Sequence, residues 1–107
     1  MSKKGTSTFV MQRASAVILI PFVIWFLWSL AAHAGDSFTE MVAWLQSPFN
    51  KIMFGGFVTI GAFHMRIGLG EIIDDYLHGS LRNASNLLNL FAALIVVAVT
   101  WFSLVSI

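Results

Sequence analysis

Residues 14–32, ASAVILIPFVIWFLWSLAA, decide the fold. This run of nineteen residues carries no charge, and about 20 apolar residues at 1.5 Å per residue cross the ~30 Å hydrocarbon core of a bilayer. Two further apolar stretches follow, at about 49–73 and 86–106. Of the 107 residues, 58% are hydrophobic and 10% charged, against roughly 25% charged in a soluble domain. Three helices apolar all round would have to be buried in a soluble protein, and a chain this short has too little other material to cover them. The reading is an all-α membrane protein forming one domain over residues 1–107, with three transmembrane helices and a short interfacial helix between the first and second.

Flanking residues set the boundaries. Met1 to Thr8 read as a short polar tail. Pro21 removes one backbone donor inside the first span and frees a carbonyl for partner helices to satisfy. Ala32-His33-Ala34-Gly35 has the small-x-small form of a signal-peptide cleavage site. The apolar run before it, however, exceeds the roughly 7 to 15 residues of a signal core and contains Trp25 and Trp28. In the segment after it, Phe38, Met41, Val42 and Leu45 recur at helical spacing behind a Ser37-x-x-Glu40 capping box, which predicts the interfacial helix, closed by Pro48. His78-Gly79-Ser80 should break the second long helix, with caps for the third offered between Asn83 and Asn86. Lys3, Lys4 and Arg13 precede the first span and Arg82 lies between the second and third, against Lys51 alone on the opposite side. The positive-inside rule then places the N-terminus in the cytoplasm and the C-terminus outside.

A net charge of +1 without a long basic run points to no nucleic-acid partner. The absence of cysteine excludes disulfides, zinc–thiolate clusters, iron–sulfur ligation and covalent haem attachment within this chain. Any metal here must be held by histidine, carboxylate or methionine.

Chemistry concentrates in HMRIGLGEIIDDY, residues 64–76. At about 100° per residue, His64, Gly68, Glu71 or Ile72, and Asp75 share one helical face. His64 lies roughly 14 Å from the inner end of its span and needs a partner at that depth. It reads either as a neutral histidine bonded to a neighbouring carbonyl or hydroxyl or as a metal or haem ligand. A haem with two axial ligands would have to draw the second from another polypeptide. His33 sits at the outer membrane surface, His78 is about 21 Å along from His64, Met65 points elsewhere, and the third span has neither His nor Met. Arg66 and Glu71 read as snorkelling or subunit-pairing charges and are given no catalytic role. Asp75 and Tyr76 read either as ordinary interfacial residues or as an acid and phenol able to serve a ligand carbonyl and its proton. Arg13, at the same depth, is either a topology-setting charge or the partner of an anionic group such as a haem propionate.

Together these residues identify a resemblance. Three spans of this length, an inside N-terminus, Arg13-Ala14-Ser15-Ala16 opening the first span in an Arg-Ala-Ser/Thr-Ala pattern, and His64-x10-Asp75-Tyr76 on the second resemble the small, D-type hydrophobic membrane anchor of succinate dehydrogenase, respiratory complex II. The resemblance covers most of the chain. It implies that His64 is an axial ligand of a b-type haem shared with a larger cytochrome b-type anchor, that Arg13 lies near the haem propionates, and that Asp75 and Tyr76 belong to the ubiquinone site. It also implies a flavoprotein subunit carrying FAD, an iron–sulfur subunit, and residence in a bacterial inner membrane. Rival readings are a small oligomeric transporter or channel lined by His64, Arg66 and Glu71, a structural assembly helper, and the anchor of a fumarate reductase.

Overall fold

The computed structural model describes residues 3–107, with side chains from residue 5 onward. Met1, Ser2 and the Lys3 and Lys4 side chains, part of the expected tail and charge bias, lie outside the described residues. The chain is helical almost throughout: α1 (Lys3–His33), α2 (Phe38–Leu45), α3 (Pro48–Tyr76) and α4 (Gly79–Ser106).

Three of these helices, over Gly5–His33, Pro48–Tyr76 and Gly79–Ser106, are long and apolar enough to cross a membrane. At 28 or 29 residues each spans about 43 Å, more than the ~30 Å core, so their ends reach the headgroups. The described residues measure 49 × 26 × 21 Å. α3 is the middle layer, packed against α1 on one side and α4 on the other. The apolar surface is turned outward: Trp28, Phe102 and Val105 are exposed, and Leu104 is the one buried hydrophobic side chain among the described residues. This is the distribution of a chain whose solvent is lipid, where apolar side chains gain little by leaving the bilayer.

The capping box stands as expected. Ser37 Oγ accepts from the Glu40 backbone N–H, and Glu40 accepts from the Ser37 N–H, which starts α2. α2 then lies beside the C-terminal end of α1, where Trp44 stacks on Trp25 with ring centroids 5.8 Å apart and meets the His33 ring at 4.9 Å. Pro48 occupies the first turn of α3, where a missing N–H costs nothing.

α3 ends at Tyr76, just ahead of the break expected at His78-Gly79-Ser80. Two other expectations are corrected. Thr8 and its neighbours are helical, not a polar tail, because α1 begins before them. Asn83 and Asn86 do not cap α4: the helix starts earlier, at Gly79, whose φ of 64° makes the turn that glycine tolerates. Asn86 instead donates to the Asp74 carboxylate, 3.0 Å away.

Polar contacts join α3 to α4. Thr59 Oγ1 donates to the Gly55 carbonyl at 2.7 Å and accepts from Trp101 Nε1 at 2.8 Å. Gly55 is required beneath that indole, since a Cβ at this position would overlap the ring. Lower down, Asn89 Nδ2 donates to the Arg66 carbonyl at 2.8 Å. Gly55→Val should therefore destabilise the α3–α4 pair by about 1–3 kcal/mol through overpacking. Trp101→Phe, which keeps most of the bulk and drops the hydrogen bond, should cost about 0.6 kcal/mol. Thermal unfolding of the detergent-solubilised assembly followed by tryptophan fluorescence checks both, and an unshifted midpoint for Gly55→Val would contradict the packing.

Candidate functional site

His64 sits midway along α3, half-buried against α1. Its Nδ1 lies 2.8 Å from Ser15 Oγ, and Ser15 Oγ also donates to the Gln12 carbonyl at 3.0 Å. Ser15 is 4% exposed, so its hydroxyl is buried, while the half-buried His64 ring reaches the surface on its other side. The imidazole Nε2 makes no hydrogen bond among the described residues and is available to another group.

The two helices approach closely here because α3 carries Gly68 one turn below His64. A Cβ at Gly68 would stand 3.1 Å from Gln12 Nε2, so glycine makes room for the Gln12 amide. Beside it opens a cleft of about 390 Å³ lined by Phe9, Gln12, Arg13, Ala16, His64 and Glu71. Its wall is chemically mixed. Gln12 Oε1 is buried without a partner, Arg13 is exposed with its guanidinium 5.3 Å over the Phe9 ring, and Glu71 is exposed. A buried amide oxygen without a partner is expensive, on the order of 1–3 kcal/mol, which suits a cleft completed by another molecule.

The structure thus brings His64, Arg13 and Glu71 to one cleft, while Asp75 and Tyr76 lie elsewhere. Both are exposed near the end of α3, Tyr76 at 77%, and neither side chain makes a hydrogen bond among the described residues. Twelve residues separate Tyr76 from His64, about 18 Å along the helix. The stripe expected from His64 to Asp75 therefore holds through Glu71 and does not bring Asp75 into the cleft.

The preceding residue, Asp74, is the structural acid of the pair. Its Oδ1 accepts from Arg82 Nε at 2.9 Å and from Asn86 at 3.0 Å, closing the turn between α3 and α4. Arg66 borders a separate polar hollow of about 250 Å³ with Asp74, Arg82 and Asn86, away from the His64 imidazole, although Glu71 touches both spaces. His33 pairs with Asp36 at 2.7 Å at the C-terminal end of α1, and His78 precedes α4 as its N-cap residue without a side-chain cap bond. Among the described residues, no three His, Cys, Asp or Glu side chains gather into a metal cage. His64 offers a single ring nitrogen, Nε2, not engaged among the described residues.

Sequence reading missed Ser15 and Gln12 as contributors to this site. The available signal was weak: two polar residues at the inner end of an apolar run, at the depth of His64.

A multi-pass membrane protein with one intramembrane histidine, hydrogen-bonded across two spans beside a mixed polar cleft, is the class that fold and site define. The chain belongs to the family described as the succinate dehydrogenase/fumarate reductase transmembrane subunit, which it matches over residues 1–105. It is similar to the succinate dehydrogenase membrane anchor subunit of Reclinomonas americana, 32% identical over 81 residues that cover 73% of this chain and 68% of the relative. It also resembles the succinate dehydrogenase hydrophobic membrane anchor subunits of Paracoccus denitrificans, 28% identical over 94% of this chain and 78% of the relative, and of Rickettsia conorii, 26% identical over 77% and 67%. No solved structure gives a significant match.

The two neighbouring acids should separate experimentally. Asp74→Ala removes a half-exposed ion pair, 41% and 42% exposed on its two sides, so its cost is that of a screened surface pair, ~1 kcal/mol or less. The thermal midpoint should fall slightly with the succinate dehydrogenase activity of the assembled complex intact, and a loss of that activity with the midpoint unchanged would move Asp74 into the functional site.

Proposed function

We propose that this chain is the small hydrophobic anchor of a succinate:quinone oxidoreductase, that His64 ligates a b-type haem shared with a larger cytochrome b-type anchor, and that Tyr76 and Asp75 serve the reduction of ubiquinone. The anchor role follows from membership of the family and from three spans whose apolar faces point outward. The chain is a subunit of an oxidoreductase and does not oxidise succinate by itself. That reaction belongs to a flavoprotein subunit holding FAD, with electrons passing through an iron–sulfur subunit. The preponderance of Lys and Arg near one set of helix ends supports an N-terminus in the cytoplasm and a C-terminus in the periplasm, and the resemblance supports residence in a bacterial inner membrane.

The observation that carries the haem reading is the His64 imidazole, tied at Nδ1 and open at Nε2, in the wall of a cleft that also holds the Arg13 guanidinium. These residues fit the group: an imidazole nitrogen for the iron and a cation for a propionate. A bound b-type haem supplies one-electron redox chemistry at its iron. This chain offers one imidazole at the right depth, so the second ligand is assigned to the larger anchor. Gln12, flipped so that its amide N–H groups face the cleft, can donate to a propionate oxygen.

Tyr76 and Asp75 stand where a hydrophobic quinone would meet the iron–sulfur subunit, at the inner membrane surface. The phenol can donate a hydrogen bond to a quinone carbonyl, strengthening as negative charge grows on that oxygen. Asp75 can accept from the phenol or pass a proton inward. Their exposure in the isolated chain suits residues completed by other subunits. The fumarate reductase variant uses the same anchor chemistry, with the direction set by potentials in other subunits.

His64→Ala should abolish or alter the b-type signal in a reduced-minus-oxidised spectrum of the purified complex, and an unchanged spectrum would overturn the ligand assignment. Tyr76→Phe should leave that spectrum intact and lower succinate:quinone turnover at limiting quinone about tenfold, the equivalent of one hydrogen bond worth ~1.4 kcal/mol. Unchanged turnover would remove Tyr76 from the quinone site.

A further inference from the structure

We infer that Ser15 is a positioning residue for the haem: its hydroxyl fixes the His64 tautomer, leaves Nε2 bare for iron and raises the donor strength of the imidazole. The inference rests on the haem reading of His64 and goes beyond it, since it assigns a role to a residue on a different span.

Ser15 has one hydroxyl proton and two close neighbours, the Gln12 carbonyl oxygen at 3.0 Å and His64 Nδ1 at 2.8 Å. A carbonyl can only accept, so the contact with Gln12 uses the Oγ–H. The contact with His64 must then be made by an Nδ1–H donating to a lone pair on Oγ. The opposite tautomer would turn the single Oγ proton toward Nδ1 and leave the hydroxyl lone pairs facing the Gln12 carbonyl at 3.0 Å, a repulsive contact in place of a hydrogen bond. Only the Nδ1–H tautomer satisfies both contacts, and in that tautomer Nε2 carries the free lone pair.

Ligating histidines are commonly oriented by an acceptor for their second nitrogen, which also makes the ring a stronger donor. Here the acceptor is a hydroxyl already polarised by giving its own proton to Gln12, and α1 holds it rigidly one helical turn from that carbonyl. A stronger donor stabilises the ferric over the ferrous state and so lowers the midpoint potential. The cross-span bond also fixes the plane of the imidazole, to which the spectroscopy of a haem with two histidine ligands is sensitive.

The test uses the assembled complex, purified with its partner subunits. Potentiometric titration and low-temperature electron paramagnetic resonance of the b-type signal are compared for wild type, Ser15→Ala, Ser15→Thr, Ser15→Cys and His64→Ala. Ser15→Ala should raise the midpoint potential, shift the low-spin resonance and weaken haem retention about tenfold. Ser15→Thr, which keeps the hydroxyl, should restore all three towards wild type. If Ser15→Ala fails to hold haem at all, Ser15→Cys carries the measurement: its weakly accepting sulfur should move the potential in the same direction. Wild-type potential and resonance in Ser15→Ala, or in Ser15→Cys where that variant is the one that holds haem, would overturn the role of Ser15. An unaltered haem signal in His64→Ala would instead overturn the ligand reading beneath it, so the two failures are distinguishable.

Discussion

Hydrocarbon offers a polar side chain no partner, so each one inside a span must find its hydrogen bond on a neighbouring helix or on its own backbone. In this chain a small number of cross-helix contacts answer that constraint, with Gln12 Oε1 the buried exception. Ser15 with His64 joins α1 to α3. Thr59 with Trp101 and Asn89 with the Arg66 carbonyl join α3 to α4, and Asp74 with Arg82 and Asn86 ties the two at their exposed turn. Because apolar side chains gain little by turning inward in lipid, these contacts and the close approaches permitted at Gly55 and Gly68 fix how the helices meet.

The central place of α3 follows. It touches both other spans, and each of its faces answers a different demand: Gly55 and Thr59 receive Trp101, His64 and Gly68 receive the first span, and its last turn carries Asp75 and Tyr76. One helix therefore connects the proposed ligand position at His64 with a phenol and a carboxylate at its C-terminal end. That layout suits a subunit that supports electron transfer from a soluble partner to a lipid-dissolved acceptor, with the electron carriers themselves held between subunits.

Much of this was legible in the sequence. The uncharged run over residues 14–32 and its two successors gave the spans, and Ser37 with Glu40 gave α2, because hydrophobicity over a long window and a capping box are local signals. His64 was legible because a histidine at that depth needs a reason. Ser15 was harder: it lies 49 residues from His64 and nothing local joins the two, so only the helix packing reveals the bond. Asp74 and Asp75 are adjacent acids whose roles depend on which side of α3 meets α4, a question of helix rotation that periodicity leaves open at a helix end. The misread cap at Asn86 failed for a similar reason, since asparagine satisfies its amide across the turn as readily as at a helix start, and Asn83 lies exposed inside α4.

The central claim is that this chain supplies one axial nitrogen, Nε2 of His64, to a haem completed by a second polypeptide. An electron cryo-microscopy map of the native complex isolated through this subunit tests it most directly. The account predicts a tetrapyrrole between the α1–α3 cleft and a neighbouring chain, with iron bonded to His64 Nε2 on one side and to a residue of that neighbour on the other. A complex without tetrapyrrole density, or one whose iron is bonded away from His64, would contradict it.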